Sequence, residues 1–277
     1  MAKVNDSMTS WSFLERLELQ GKAVAAKILT SSVMCRAVAR IFPHGVPFHG
    51  LRINTRNEKG SDRIKCSLLF RMYESAEIRF IEKYLPRDID VIELGCSIGA
   101  TSCIIRRMMP PDRKLVCVEP DPTLVETLQN NLISNGLFKQ VTIFAAAVVS
   151  ASQPEATVPF FRGTDATTGS LYQGTVEHAA LGVPTVTLDE IVYAQRFESF
   201  ALVCDIEGAE WDVLPVSTSL SKCRLLIVEF HDFPAHPHRS DHQVLLRNLE
   251  TTFGFSVVER YGNVCVLRKG GTTSAVS

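Results

Sequence analysis

Val91-Ile92-Glu93-Leu94-Gly95-Cys96-Ser97-Ile98-Gly99 decides the fold. It reads as an apolar strand that runs straight into a glycine turn, with a helix beginning near Ala100. Glu93 sits inside the strand, two positions before the first glycine. Packing has no use for a carboxylate there, so the turn is expected to grip a ligand. A second apolar strand, Leu115-Val116-Cys117-Val118, ends in Glu119-Pro120-Asp121. Two consecutive strands ending in carboxylates beside a glycine turn are the layout of a nucleoside-binding half of an α/β sheet.

The pattern continues outward from that stretch. Strands are expected at 91–95, 114–119 and 141–148, with helices at 98–109 and 122–134 between them. Asp121-Pro122 opens a helix with a capping carboxylate and a proline in the first turn, and Asn135-Gly136 stops it. Residues 149–183 break the rhythm as a long polar loop, with a short strand at Val158-Pro159-Phe160-Phe161. Helices near 188–195 and 209–217, strands at 201–205 and 224–230, and a helix at 241–253 follow. Strands at 255–260 and 263–268 close the chain. Upstream, residues 1–45 read as helical, 46–70 as a β-hairpin around the polar segment 55–62, and 73–85 as a helix ending at Pro86. Strands alternating with helices predict a mostly parallel sheet covered on both faces. The expected division is an extension over 1–70, a ligand-binding domain over 71–270 and a frayed tail over 271–277.

Composition narrows the function. The 277 residues are 45% hydrophobic, enough for a sizeable core. The 29 basic and 30 acidic side chains give a net charge of -1, which argues against nucleic acid as a partner. Eight cysteines without a C-x-x-C pair read as small core residues in a reducing compartment. The polar start, with no signal-peptide core and no membrane-spanning run, leads to the expectation of a cytoplasmic protein. Residues 22–42 mix basic and apolar side chains; a helix packed on the main domain or on a partner subunit is preferred there over one lying on a membrane. Self-association stays open.

The spacing of the glycine turn, E-x-G-x-x-x-G, lacks the G-x-G-x-x-G of a pyrophosphate cradle. A ribose without phosphates points to S-adenosylmethionine, and Glu119 suits two ribose hydroxyls. Motif I and Val118-Glu119-Pro120-Asp121 resemble class I S-adenosylmethionine-dependent methyltransferases. Thr187-Leu188-Asp189-Glu190, Cys204-Asp205-Ile206-Glu207-Gly208-Ala209-Glu210, Leu226-Ile227-Val228-Glu229 and Tyr73-Glu74 with Glu77 resemble their FkbM family, over about residues 70–268. The resemblance implies a Rossmann-like α/β fold with a seven-stranded sheet and an antiparallel last strand. It implies that Gly95, Ser97 and Gly99 lie against the cofactor's methionine end. It places Glu119 on the ribose with Asp121 assisting beside Pro120, and Ala146-Ala147 near the adenine. Glu93 counts among the cofactor residues.

The acceptor side is less determined. Asp205 ends a buried strand, where it would face the cofactor's ammonium or sulfonium and could deprotonate a hydroxyl. Glu210 serves either that site or the dipole of the next helix. His231 follows the fifth strand and is a candidate base, because imidazole titrates near neutral pH; bonding to a neighbouring loop is the other reading. The histidines between His231 and His242 fit no standard zinc spacing, and no metal site is expected. The loop Gly163–Tyr172 covers the acceptor or is plain surface. Transfer of a methyl group to a hydroxyl oxygen is the expected reaction, with a sugar in polysaccharide or glycolipid assembly as the favoured acceptor and a secondary metabolite next. An NAD-dependent oxidoreductase and an inactive cofactor-binding subunit are the alternatives.

Overall fold

The computed structural model describes residue 29 and residues 31–55, 61–150, 156–162, 169–172, 180–231 and 241–270. In chain order its elements are α1 (Ser32–Ile41), β1 (Val46–Phe48), β2 (Leu51–Ile53), α2 (Ser61–Leu69), α3 (Ser75–Tyr84), β3 (Asp90–Leu94), α4 (Ala100–Met108), β4 (Leu115–Val118), α5 (Pro122–Ser134) and β5 (Val141–Phe144). There follow β6 (Ala147–Val148), β7 (Thr157–Phe161), β8 (Ala180–Val186), α6 (Leu188–Gln195), β9 (Phe200–Cys204), α7 (Glu210–Val213), β10 (Cys223–Glu229), α8 (His242–Phe253), β11 (Phe255–Tyr261) and β12 (Val264–Lys269).

Seven strands form the main sheet, in the order β11-β12-β10-β9-β3-β4-β5. β5, β4, β3, β9 and β10 run parallel, and β12 is antiparallel to both its neighbours. This is the Rossmann-like, seven-stranded architecture expected from the sequence. The chain builds outward from β3 through β4 to β5, then crosses back to β9 on the other side of β3. The switch point therefore lies between the carboxyl ends of β3 and β9, where open α/β sheets bind ligands.

Strand alternation divides the core. Val91, Leu115, Val203 and Ile227 point to one face, under α3, α4 and α5. Ile92, Val116, Leu202 and Leu226 point to the other, under α6, α7 and α8. Each such side chain, fully enclosed, is worth about 1.5–3 kcal/mol of apolar burial. Helix α5 follows its predicted signals closely: Asp121 accepts a bond from the Thr123 N–H, Pro122 stands in the first turn, and Gly136 follows with φ 70°. All eight cysteines are buried. No helix among the described residues is long and apolar enough to cross a membrane.

Three expectations need correction. The hairpin turns at His49-Gly50, where both residues have positive φ, and residues 61–69 form α2 rather than a returning strand. Val46, Phe48, Ile53 and Ile64 join the same core as α3 and α4. The strand expected over 141–148 is interrupted: β5 ends at Phe144, and Ala147-Val148 leave the main sheet to pair with β8. The polar stretch 149–183 contains the start of a seven-residue strand, β8, which joins β6 and β7 in a small sheet. Segment 22–42 is described at residue 29 and from Ser31 on; there Cys35 and Val38 pack with Cys66 of α2.

Candidate active site

The motif turn is shaped by close backbone approach. Gly95 has φ 85°, and a Cβ on it would lie 1.7 Å from the Asp205 carbonyl oxygen. The Asp205 N–H donates to the Leu94 carbonyl at 3.0 Å, so the end of β9 is fastened directly against the turn. Gly99, with φ 78°, opens α4, and a Cβ there would meet Leu128 Cδ1 at 2.4 Å. Ser97 between them is also left-handed, at φ 47°. It spends that strained conformation on aiming its N–H at Glu119 Oε2, 2.8 Å away. The fully buried Asn131 secures the far end by donating to the carbonyls of Ile98 (2.8 Å) and Asn54 (2.9 Å). The β2 end of the hairpin thus braces the motif, a link that no sequence pattern announced.

The carboxylates here have distinct duties. Glu119, 4% exposed, accepts from the N–H groups of Ser97 and Asp121 (2.9 Å). One acceptor site on each oxygen remains for hydroxyl donors. Burial raises its carboxyl to about 7 against the pull of those two N–H groups. Asp121 is fully engaged: Oδ1 accepts from the N–H and hydroxyl of Thr123, and Arg162 clamps both oxygens at 2.6 and 2.8 Å. It thereby caps α5 and anchors β7, with Arg162 the partner of Oδ2. Glu93 is sealed at 2% exposure on the α4 side of the sheet, with its Oε2 beside Cys117 Sγ at 3.9 Å, and burial raises it to about 8. It supports the turn from within rather than lining the open edge. Ala147 packs against Phe160 and Val183, away from the main sheet. Pro120 remains half-buried between Glu119 and Asp121.

The second half of the site lies at the ends of β9 and β10. Glu207 (φ 51°) and Gly208 (φ 100°) turn the chain sharply after Asp205. Glu210 closes this turn. It is fully buried, and its Oε1 accepts from the Ile206 N–H at 3.0 Å and faces His231 Nδ1 at 3.1 Å. Trp211 Nε1 donates to the His231 carbonyl at 3.2 Å. The imidazole is thereby fixed with Nε2 directed at Asp205 Oδ1 (3.6 Å) and Glu207 Oε2 (3.5 Å). Burial opposes protonation of His231, but Glu210, Asp205 and Glu207 outweigh it and raise the imidazole to about 10. Those acids favour the protonated imidazole over the neutral base expected from sequence. Burial, with Glu74 next in effect, holds Asp205 well above the carboxylate range despite the imidazolium, and its Oδ1 is sealed from solvent without a hydrogen-bond donor.

A cleft of about 590 Å³ adjoins this cluster. Arg63 and Ser67 of α2, the turn at Tyr73 to Glu77, Glu229 at the end of β10, and Asn263 between β11 and β12 line it. The sequence offers the loop Gly163–Tyr172 and His231 as candidates for the acceptor side. Of the first segment, Ser170 donates to the Glu207 carbonyl at 2.8 Å and Tyr172 bonds Asp212, so residues 169–172 dock on the second half-site. Residues 163–168, 173–179 and 232–240 lie outside the described residues. Arg63, Ser67 and Asn263 were missed; isolated polar residues on a short helix and a hairpin turn carry no motif.

The model of the methyltransferase FkbM domain matches residues 97–262. This chain belongs to the FkbM methyltransferase family. It is a methyltransferase whose methyl donor is S-adenosylmethionine, which settles the choice against hydride transfer. The acidic edge suits a cationic donor, and Glu119 retains acceptor sites for its ribose. Several solved structures are similar. A protein of the NADB-Rossmann superfamily from Streptococcus agalactiae is 12% identical, with 71% of this chain and 69% of that one covered and a TM-score of 0.42. Ribosomal protein L11 methylase from Lactobacillus delbrueckii subsp. bulgaricus is 11% identical over 71% and 78%, with a TM-score of 0.40. The O-methyltransferase TomG from Streptomyces achromogenes, solved with its methyl donor, is 15% identical over 70% and 78%, with a TM-score of 0.40. No curated protein matches the chain.

Proposed function

We propose that this methyltransferase acts on a hydroxyl oxygen, and that its acceptor is a polyhydroxylated molecule such as a sugar. The observation that carries this reading is the orphan Asp205 Oδ1, held 3.6 Å from a fixed imidazolium beside a polar cleft. A hydroxyl acceptor must lose a proton, and Asp205 Oδ1 is a carboxylate oxygen at this edge that lacks a donor and faces His231 Nε2 at 3.6 Å. Carboxylates and amides such as Glu74, Glu229 and Asn263 match a partner rich in hydroxyl donors.

S-adenosylmethionine supplies an electrophilic methyl group on a sulfonium. Glu119 accepts the ribose hydroxyls, and the Gly95–Gly99 turn receives the methionine end. Burial makes Asp205 a strong base once ionised, and in that form it accepts the acceptor's proton as the new oxygen–carbon bond replaces the sulfur–carbon bond. His231 stabilises the carboxylate by its fixed charge and acts as a positioning residue rather than as the base. Alignment of donor and acceptor supplies the greater part of the acceleration. The test is transfer of radiolabelled methyl from S-adenosylmethionine into fractionated cell extract. Label on a glycan or hydroxylated small molecule is the expected result; label on protein or nucleic acid overturns the acceptor assignment.

A further inference from the structure

We propose that Glu74, Glu77 and Asp205 hold a hard divalent cation where the cleft meets the methyl-transfer site. Each offers one carboxylate oxygen, and the three oxygens lie within 4.8 Å of one another. Asp205 is also the shared corner of a second such triangle, with Glu207 and His231.

Two observations beyond the crowding of acids point to a ligand. Glu77 is only 6% exposed, lines the cleft and, among the described residues, takes part in no hydrogen bond or ion pair. A buried carboxylate without a donor is costly unless a positive charge is supplied. Glu74 occupies the N-cap of α3 in a left-handed conformation, φ 41° and ψ 39°, yet makes no capping hydrogen bond. Neither helix nor neighbour uses its carboxylate, although the backbone bears strain to place it there.

Charge balance leads to the same conclusion. Glu74, Asp205 and Glu207 face one imidazole, whose other nitrogen is directed at Glu210, while Glu77 and Glu229 crowd Asp205. S-adenosylmethionine brings a sulfonium and an ammonium but also a carboxylate, so negative charge remains in excess when it binds. An all-carboxylate donor set selects magnesium, manganese or calcium over zinc or copper. Opposite ligands of such ions lie about 4–5 Å apart, within reach of the observed spacing. Beside the cleft, the ion would give hydroxyl oxygens of an acceptor a common point of attachment. That last role rests on the hydroxyl acceptor proposed above; the binding of the ion does not.

The experiment is titration of the chelator-treated full chain with manganese(II) chloride, followed by electron paramagnetic resonance, with and without S-adenosylmethionine. The expected result is one bound ion per chain, competed by magnesium or calcium. E77Q should weaken binding at least tenfold and D205N similarly, while E82Q on the exposed face of α3 should leave it unchanged. If E77Q does not fold, E74Q replaces it. No bound manganese in the wild-type chain under either condition, or equal binding in E77Q (or its E74Q replacement) and D205N, overturns the proposal. Manganese binding without methylation of any hydroxylated acceptor supports the ion and counts against the acceptor reading alone.

Discussion

The two halves of the site treat their carboxylates in opposite ways. On the β4 side every acid is sealed or answered: Glu119 receives two N–H groups, Asp121 is clamped by Arg162, and Glu93 is enclosed. On the β9–β10 side Asp205 Oδ1 and Glu210 Oε2 have no donor among the described residues, and His231 answers several acids at once. The first half is complete as folded, a rigid cradle for the nucleoside. The second is electrostatically unfinished and gains most from cationic ligands. Preorganisation belongs to binding and unmet charge to chemistry, and one chain keeps them on adjacent strands.

The contrast can be broken most forcefully at the joint between the halves. G95A should be the most damaging change, because its Cβ would meet the Asp205 carbonyl. Calorimetric melting should show a fall of roughly 10 °C or more, with loss of cofactor binding. A G95A chain that melts and binds like wild type would mean the halves are not fastened there. D205N should lower kcat by roughly 10²–10⁴ while changing the cofactor Kd much less. Equal losses in both would merge the two halves into one binding site.

E119Q tests the cradle. Hydroxyl donors favour the ionised carboxylate, so wild-type affinity for S-adenosylmethionine should rise as pH climbs through about 7 and then level off. In E119Q, titration calorimetry should give a profile without that rise and affinity about tenfold lower at pH 8. Glu93 offers a finer test. Its folded pKa of about 8 is raised, so the folded state binds more protons than the unfolded one between pH 4.5 and 8. Stability of the ligand-free protein is present at low pH and lost as pH rises through 8. E93Q should remove this loss and melt roughly a few degrees above wild type at pH 8.5. R162A should have the smallest effect, about 1 kcal/mol by chemical denaturation, because the guanidinium is half exposed.

The parallel strands of the main sheet were legible because each is short, largely apolar and punctuated by strong helix signals. Asp121-Pro122 before α5 and Thr187 before α6, where a reciprocal capping box forms with Glu190, fix those helix starts from sequence alone. The misses have local causes. Strand β8 reads Ala-Leu-Gly-Val-Pro-Thr-Val, and its Gly182 and Pro184 are breakers that tertiary pairing overrides. Helix α2 is short and polar, so its periodicity is weak. Asp205 and His231 were legible as neighbours because each follows a strand at the ligand edge. Their roles were not, since the state of the imidazole depends on Glu207 and Glu210, and on burial that only the assembled turn creates. The Gly95–Gly99 motif was read as a ligand grip, yet both glycines also answer packing demands from Asp205 and Leu128.

The absent side chain at Gly95 has a consequence for how this chain can change over time. Drift at that codon is blocked unless β9 retreats in the same step, and β9 is held between β3 and β10. On the acceptor reading proposed above, substrate preference changes through the walls of the cleft, in α2 and the last hairpin. The gap between donor and acceptor stays inherited as a fixed length, set by a hydrogen atom where every other residue carries carbon.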